Sequence, residues 1–319
     1  MNQSKFSLAD LLMLSGAFAF GFVCFLGTNF FTLGNSTQSI ILAVIIAGLL
    51  IGTAFGAKLL KRTSGNFKTC FVWEMILLVL FTGLTAFFSY SPFPHYFVVS
   101  GQRTEIQNKL IASITQAENM FAEYERYAEK RENLYKSKLR SVAAGKSINP
   151  REYTEYGFEN NGVADSKQIE NKMFTVHADL FPTNFEEMKK VGSDWLADAR
   201  NTVTHWSWIR YNIGIVSVVN EVEKNSKDWL NTLTELSGVR EKSEQAENFA
   251  YNLSFDDVIK HFITLGKPTW GSIGLAVAAY LLMLLSWIAT KRHTKFPGLK
   301  VIFRTGNKKE NSKRTIIIQ

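Results

Sequence analysis

Cysteine is scarce in this chain, and its two copies lie where a structural disulfide has little use. Cys24 is in the middle of one apolar run and Cys70 is at the start of another, so both are predicted to be small buried hydrophobic residues. Residues 91–268 contain no cysteine. Disulfides therefore cannot cross-link that long segment, and its own helical packing must stabilise it.

The familiar signatures of enzymes and metal sites are also missing. None of the 5 histidines is paired with another at i,i+4, and neither His-Glu-x-x-His nor Cys-x-x-Cys occurs, so the usual zinc spacings are absent. The sequence has no P-loop, no nucleophile elbow and no Gly-x-Gly-x-x-Gly turn. We therefore predict a protein that is not an enzyme and that needs no metal or organic cofactor.

Acidic residues are scarce outside one long segment. Residues 1–90 and 269–319 together carry 14 Lys and Arg but only 3 Asp and Glu, whereas residues 91–268 carry 22 and 25. The formal net charge of +8 thus belongs to the flanks of a mildly acidic segment. Because these basic flanks adjoin apolar runs, membrane lipid is their predicted partner, and nucleic-acid binding is disfavoured.

Four apolar runs are long enough to cross the hydrocarbon core of a bilayer as helices. A cleaved signal peptide is the weaker interpretation of the first run, because that run is long and Asp10 weakens the positive region before it. The predicted transmembrane helices cover residues 11–33, 39–60, 71–90 and 269–290. Residues 1–90 thus form a membrane region with three spans, and residues 91–268 separate it from the fourth.

Lysine and arginine decide the predicted orientation. The connection between spans two and three and the tail 291–319 are rich in both, whereas the connection between spans one and two has no charge. This pattern predicts cytoplasmic N- and C-termini and an extracytoplasmic segment 91–268, and it suits a bacterial inner membrane with a periplasmic domain. In the basic cytoplasmic tail, Lys291, Arg292 and Lys295 are predicted to face lipid.

Residues 91–268, called the insert below, are predicted to be helical throughout. No alternating strand pattern of useful length is identified, and residues 239–253 are assigned to a short, polar helix. The longest predicted helix, residues 102–140, has apolar positions spaced 4-3-4-3-4, which is typical of a helix seam. The seam residues are Leu110, Ile114, Ala117, Phe121, Tyr124 and Ala128. A bundle within the chain is favoured over a coiled coil between subunits, because Arg131 interrupts the seam.

Small residues recur on the first two spans. Gly48, Gly52 and Gly56 are four residues apart and share one face of the second span, and Ala17 and Gly21 on the first span are candidates for the matching face. Small residues let transmembrane helices approach closely, so these five are predicted to form a helix-packing face. Packing of spans one and two within the chain is favoured over packing between subunits.

Glu74 is the candidate intramembrane ionisable site. A carboxylate inside an apolar run is a functional candidate by default. Glu74 lies within one turn of the start of the third span, close to the basic connection before it. A structural pair with Lys58 or Arg62 is therefore favoured over a proton or ion site.

The predicted fold is an all-α polytopic membrane protein with four transmembrane helices and a large extracytoplasmic helical bundle between the third and fourth. The predicted function is a non-enzymatic structural or interaction component of a cell-envelope membrane complex, with copies of itself or other membrane proteins as partners. One alternative is an oligomeric channel or transporter subunit. Another is an extracytoplasmic ligand sensor that relays to a cytosolic partner. The order of spans resembles that of tetraspanins, but the insert lacks that family's Cys-Cys-Gly motif, so the resemblance covers topology alone.

Overall fold

The structure is a computed structural model that describes residues 7–64, 66–206, 214–241 and 243–293. Every regular element in these residues is a helix, and they contain no strand. The prediction of an all-α protein is therefore confirmed. The chain divides into two compact units, each of which has its own core.

Eleven helices follow one another along the described residues. They are α1 (Leu8–Phe31), α2 (Ser36–Arg62), α3 (Phe67–Tyr90), α4 (Phe93–Gly101), α5 (Arg103–Ala144), α6 (Pro150–Glu155), α7 (Asp165–Leu180), α8 (Phe185–Thr204), α9 (Gly214–Gly238), α10 (Asp256–Ile263) and α11 (Trp270–Ala289).

Four helical stretches are long and apolar enough to cross a membrane: α1, α2, the stretch Phe67–Gly101 that includes α3 and α4, and α11. Each overlaps one predicted span, so the prediction of four membrane-spanning helices is confirmed at this level. Even α11, the shortest with 20 residues, is about 30 Å long, which matches the hydrocarbon thickness. Large apolar side chains such as Val79 and Phe87 are exposed on these helices, as the lipid-facing residues of an integral membrane protein are.

The first unit comprises Met1–Phe22, Ala43–Ser89 and Ile273–Gln319. Its buried apolar side chains include Met13, Phe20, Ile46 and Leu50. The ring of Phe81 on α3 stacks on that of Tyr280 on α11, with centroids 5.4 Å apart. Apolar and aromatic packing thus makes the core of this unit.

The second unit comprises Val23–Leu42 and Tyr90–Ser272, and its central element is α5. With 42 residues, α5 is about 63 Å long, and α7, α8, α9 and α10 all pack against it. The core beside its first half joins Leu110 and Ile114 of α5 to Leu196 of α8 and Val219 of α9. This arrangement is a helical bundle within one chain.

All six residues of the predicted seam face the interior of this bundle. None is more than 1% exposed. The first three contact α8 and α9, and Phe121 and Tyr124 lie in a second cluster with Phe185 and Leu233. Because helices of the same chain already cover the seam, it is not available to a coiled coil between subunits.

A backbone contact joins α1 to α4 in the second unit. A Cβ atom on Gly27 would lie 2.2 Å from the carbonyl oxygen of Pro92, much closer than two such atoms can approach. Three residues further along α1, the ring of Phe30 stacks on Tyr96, with centroids 6.0 Å apart. Only glycine at position 27 allows α1 to pass the start of α4 at this distance.

The prediction that the insert is helical throughout is wrong for one segment. Helix α9 ends at Gly238, and residues 244–255, called the strap below, contain neither helix nor turn. The reason is visible in the side chains, which alternate with the period of a strand and not of a helix. Buried or partly buried Phe249, Tyr251, Leu253 and Phe255 alternate with exposed Ala250, Asn252 and Ser254.

Contacts with α5 show that the strap is extended. Near one end, Ser113 donates from its hydroxyl to the carbonyl oxygen of Ser254, and near the other, Tyr127 donates to that of Glu247. These two contacts are 14 residues apart on α5, which is about 21 Å along the helix, and 7 residues apart on the strap, which is about 23 Å at the rise of a strand. The residue numbers rise along α5 where they fall along the strap. The two lengths agree, so the strap runs antiparallel to α5 in a nearly fully extended form.

Candidate functional site

A buried ion pair links three helices of the first unit. Asp10 of α1 and Lys58 of α2 are 1% and 4% exposed, and the Lys58 ammonium donates to the Asp10 carboxylate. The hydroxyl of Ser286 on α11 donates to the same oxygen. Ser7 donates to the other oxygen from its backbone N–H at 2.8 Å and from its hydroxyl at 2.9 Å. Both oxygens of the carboxylate are therefore paired, as a buried charge requires.

Glu74 of α3 is fully buried and is also paired. Arg292 donates from Nη2 to Oε1 at 2.7 Å, its Nη1 lies 2.6 Å from Oε2, and Trp287 donates from Nε1 to Oε1 at 2.9 Å. The prediction that Glu74 pairs with Lys58 or Arg62 is wrong, because its partner is Arg292. Lys58 is engaged by another carboxylate, and the chain just after α11 brings Arg292 to α3.

The predicted lipid-facing tail residues therefore differ in their surroundings. Arg292 is partly buried in its pair with Glu74, whereas Lys291 is exposed. Lys295 lies outside the described residues. Lys61 of α2 donates to the carbonyl oxygen of Trp287 at 2.7 Å, and its ammonium lies 4.1 Å from the centre of the indole ring. Polar contacts thus fasten the ends of α2, α3 and α11 together.

The predicted small-residue face is only partly used inside the first unit. Ala17 is buried, and a Cβ atom on Gly21 would lie 3.2 Å from the Cβ of Ala47 on α2. Helices α1 and α2 therefore do approach closely, with Ala47 as the residue opposite Gly21.

The glycines of α2 are placed differently from one another. A Cβ atom on Gly56 would lie 3.0 Å from the side chain of Leu77 on α3. At Gly48 and Gly52 the same position has no atom of the described chain within 4 Å. These two glycines therefore take no part in packing against the described helices.

The insert contains a groove of about 890 Å³ between α5 and the strap, called the strap groove below. This volume lies in the usual range of ligand sites. The wall on α5 is formed by Asn119, Glu123, Arg126, Lys130, Leu134 and Lys138. The opposite wall is formed by residues 243–251, and aromatic rings from Tyr127, Tyr135, Tyr156, Phe249 and Tyr251 line the space between.

A buried ion pair fixes the strap at one end of this groove. Arg131 of α5 donates to Glu244 at 2.6 and 2.8 Å, with 3% and 2% of the two side chains exposed. The same guanidinium donates to the carbonyl oxygens of Ser237 and Val239, each at 2.6 Å, where α9 ends. Burial opposes its charge, but hydrogen bonds to Glu244 and the charge of that carboxylate raise the pKa of Arg131. Arg131, which appeared to interrupt the seam, therefore joins three segments of the insert.

Tyrosine hydroxyls hold the two walls in place. Tyr127 donates to the carbonyl oxygen of Glu247 at 2.6 Å, and Tyr251 donates to that of Gln116 at 2.9 Å. Burial and the neighbouring Glu123 raise the pKa of Tyr251, so its hydroxyl stays a neutral donor. Because both hydroxyls are occupied in this way, the rings are the parts of these residues that line the groove.

Several groups in the strap groove have no partner among the described residues. Lys130 and Glu247 are exposed charges on opposite walls, and neither side chain forms an ion pair or hydrogen bond with the described residues. Leu134 is 62% exposed although it is part of the α5 wall. The groove therefore offers charge, aromatic surface and an apolar contact to a bound molecule.

Sequence reasoning missed both the strap and the Asp10–Lys58 pair. The signal for the strap was the alternation of large apolar and small polar residues over residues 249–255. The signal for the pair was one acidic residue before the first apolar run and one lysine inside the end of the second. When two neighbouring helices are antiparallel, the start of the first lies beside the end of the second, so Asp10 and Lys58 come together.

The described residues contain no group of three His, Cys, Asp or Glu side chains arranged to hold a metal ion. Comparison of the chain with protein-family models, with curated proteins and with solved structures finds no match. The strap groove is therefore the candidate site for which the residues themselves make the strongest case.

Proposed function

We propose that this protein is a non-enzymatic, membrane-anchored component of a cell-envelope complex, and that it binds a partner through its insert. The observation that carries the proposal is the strap groove. Its walls are fixed by the Arg131–Glu244 pair and by tyrosine hydroxyls, yet Lys130, Glu247 and Leu134 remain open to a partner. A preformed groove with unused binding groups is suited to recognition.

The insert is proposed to lie outside the cytoplasm of a bacterial cell, between the third and fourth spans. Lys58, Lys61 and Arg292 lie at the ends of α2 and α11, whereas the turn between α1 and α2 carries no charge. This distribution supports cytoplasmic termini under the positive-inside rule.

Site-specific photo-cross-linking of the full-length protein in cells tests the proposal. A photoreactive residue at Leu134 lies in the groove, and one at Phe174, which is 75% exposed on α7, is the matched control on another surface. We expect a discrete cross-linked species from position 134 and none from position 174. If neither position yields a species and the native protein migrates as a free monomer, the proposal is wrong.

A second candidate, an extracytoplasmic sensor, is favoured by the order of elements. The strap leads directly into α10, and α11 begins seven residues after α10 ends. A molecule bound beside the strap could therefore act on a membrane-spanning helix through a short connection. Cysteine labelling at Lys291→Cys in a Cys24→Ala, Cys70→Ala background, with and without the partner identified by cross-linking at position 134, tests this. An unchanged labelling rate would reject the sensor.

A further inference from the structure

The strap has the form of a strand edge, and no second strand lies beside it in the described part of the chain. Its alternating stretch, residues 249–255, has few backbone hydrogen bonds in the described chain. Phe249 donates its N–H to the hydroxyl of Ser237 at 2.8 Å, the carbonyl of Ser254 accepts from Ser113 at 3.4 Å, and the carbonyl of Phe255 accepts from the start of α10. The other peptide groups of this stretch have no protein partner among the described residues.

Some of the unused groups lie beside the groove. The N–H of Phe249 is directed to Ser237 at the end of α9, and the carbonyl of Ser254 is directed to α5. Ala250, whose N–H and C=O are both unused in the described chain, lines the strap groove, and exposed Asn252 follows two residues later.

Nothing on the described strap protects this edge from a second strand. Natural sheets protect open edges with lysine, proline, a bulge or a covering element. The outward side chains here are those of Ala250, Asn252 and Ser254, which are small, uncharged and exposed. The edge can therefore be approached by another backbone.

The dimensions of the groove suit one extended peptide. Its α5 wall runs from Asn119 to Lys138, which is about 28 Å along the helix axis. Eight residues of a strand cover about 27 Å. A helix carries its own backbone partners and is about 10 Å wide, so it would leave the peptide groups of the strap unsatisfied.

We propose that the strap groove binds an extended segment of a partner polypeptide, which adds to the strap as a second strand. Main-chain hydrogen bonds from Ala250 and Asn252 supply the pairing, as in other cases of strand addition. Alternate side chains of the segment face Leu134 and the ring of Tyr127. This inference rests on the proposed function and names the chemistry of the partner.

Charge contributes to the choice of the segment. Lys130 on the α5 wall and Glu247 on the strap are the exposed, unpaired charges of the groove among the described residues. Each favours the opposite charge on the bound segment, since complementary charges fix register more than they add affinity. The preferred segment therefore alternates apolar and polar residues and carries one acidic and one basic residue.

Peptide selection on the full-length protein in nanodiscs tests the proposal. The probe is a phage-displayed library of random peptides about twelve residues long, long enough to cover the groove in extended form, and an enriched peptide is then synthesised and titrated. The test variant is Asn252→Pro, which removes an N–H that the chain itself does not use. Proline fits an extended backbone and favours an extended residue before it, so the fold is preserved. The matched control is Asn252→Ala, which keeps the N–H.

We expect Asn252→Pro to weaken binding about tenfold or more, and Asn252→Ala to change it less than about threefold, because only the first leaves a hydrogen bond unmade. Both variants should unfold at the wild-type temperature. Amide exchange should slow at Ala250 and Asn252 when the peptide binds and stay unchanged in α8.

Three results would overturn strand addition: no enriched peptide, equal affinity for the proline variant, or pairing of the strap with the strap of a second copy. The last would appear as a dimer in light scattering that Asn252→Pro dissociates. If position 134 still cross-links to a partner while peptides fail, strand addition is wrong and the interaction function stands. If both fail, both proposals are wrong.

Discussion

Arg131 and Glu244 form a buried ion pair that joins the second half of α5 to the first residue of the strap. The guanidinium contacts both carboxylate oxygens and also the two carbonyls at the end of α9. A pair of this kind contributes little net stability compared with well-packed apolar residues, but removing one partner leaves a buried charge alone. Its main effect here is to fix where the strap begins along α5.

Replacing one member of this pair should destabilise the insert strongly. We expect Arg131→Met to cost about 3–5 kcal/mol in the free energy of unfolding, and the double variant Arg131→Met, Glu244→Leu to cost less than the single one. Chemical denaturation followed by far-UV circular dichroism measures both. The control is Arg126→Met, which breaks an exposed pair with Glu123 and should cost less than about 1 kcal/mol. Equal costs for Arg131→Met and Arg126→Met would contradict the prediction.

The close approach of α1 and α4 makes Gly27 intolerant of any side chain. We expect Gly27→Ala to lower the melting temperature of the detergent-solubilised protein, because the new Cβ would meet the backbone of Pro92, which cannot move like a flexible side chain. Gly48→Ala is the matched control. That position is open and helical, so alanine there should be neutral or slightly stabilising. The prediction fails if the two variants melt alike.

The two buried carboxylates of the first unit should differ in their tolerance of neutralisation. Asp10→Asn leaves Lys58 buried without a counter-charge, whereas Glu74→Gln leaves Arg292, whose side chain is 20% exposed and can turn toward water. We therefore expect Asp10→Asn to reduce the yield of folded protein more than Glu74→Gln. Size-exclusion chromatography in detergent measures that yield. Recovery in the double variant Asp10→Asn, Lys58→Met would show that the unpaired lysine is the cause.

The insert should lose stability in alkaline solution through Tyr124. Burial, and then the neighbouring Tyr127, raise the pKa of its hydroxyl, which donates to the carbonyl of Leu180 at 3.0 Å. The unfolded chain releases this proton near pH 10 and the folded chain only above it. Its contribution is thus constant below about pH 10 and declines above, by at most about 1.4 kcal/mol per pH unit.

Tyr124→Phe isolates this contribution, because phenylalanine keeps the ring and has no proton to lose. We expect the variant to be less stable than the wild type at neutral pH but to have a shallower slope above pH 10. The measurement is the free energy of unfolding by circular dichroism at several alkaline pH values. Parallel slopes would show that Tyr124 does not titrate on unfolding.

Much of the helical framework could be predicted from periodicity and apolar length. The 4-3-4-3-4 spacing on α5 specified which face is buried, and the four apolar runs specified the spans. The prediction of a short, polar helix over residues 239–253 is wrong, because polar composition does not distinguish a helix from an extended segment. The alternation from Phe249 to Phe255 is short and has no turn or partner strand to mark it, so its period was the one available signal.

The polar contacts of the site were harder to predict because they depend on pairing between distant segments. Glu74 was identified as a buried carboxylate, but its partner lies 218 residues away, on Arg292. Arg131 looked like an interruption because the sequence does not reveal that Glu244 will lie opposite it. A charged residue in an apolar seam can thus either end the buried face or form a buried ion pair, and the tertiary contacts decide which.

His95 lies just inside the beginning of the insert and Phe262 just before its end, and the ring Nε2 of the first lies 2.7 Å from the carbonyl oxygen of the second. The ring of Phe262 is also 5.9 Å from that of Phe30 on α1. Mechanically, this junction is a clasp that closes the insert into a loop. A pull on the two chain ends would load the clasp before it reached α5 or the strap. The loop beyond the clasp is still not an independent module, because Leu26 and Phe30 of α1 share one hydrophobic core with Ile106 and Leu110 of α5.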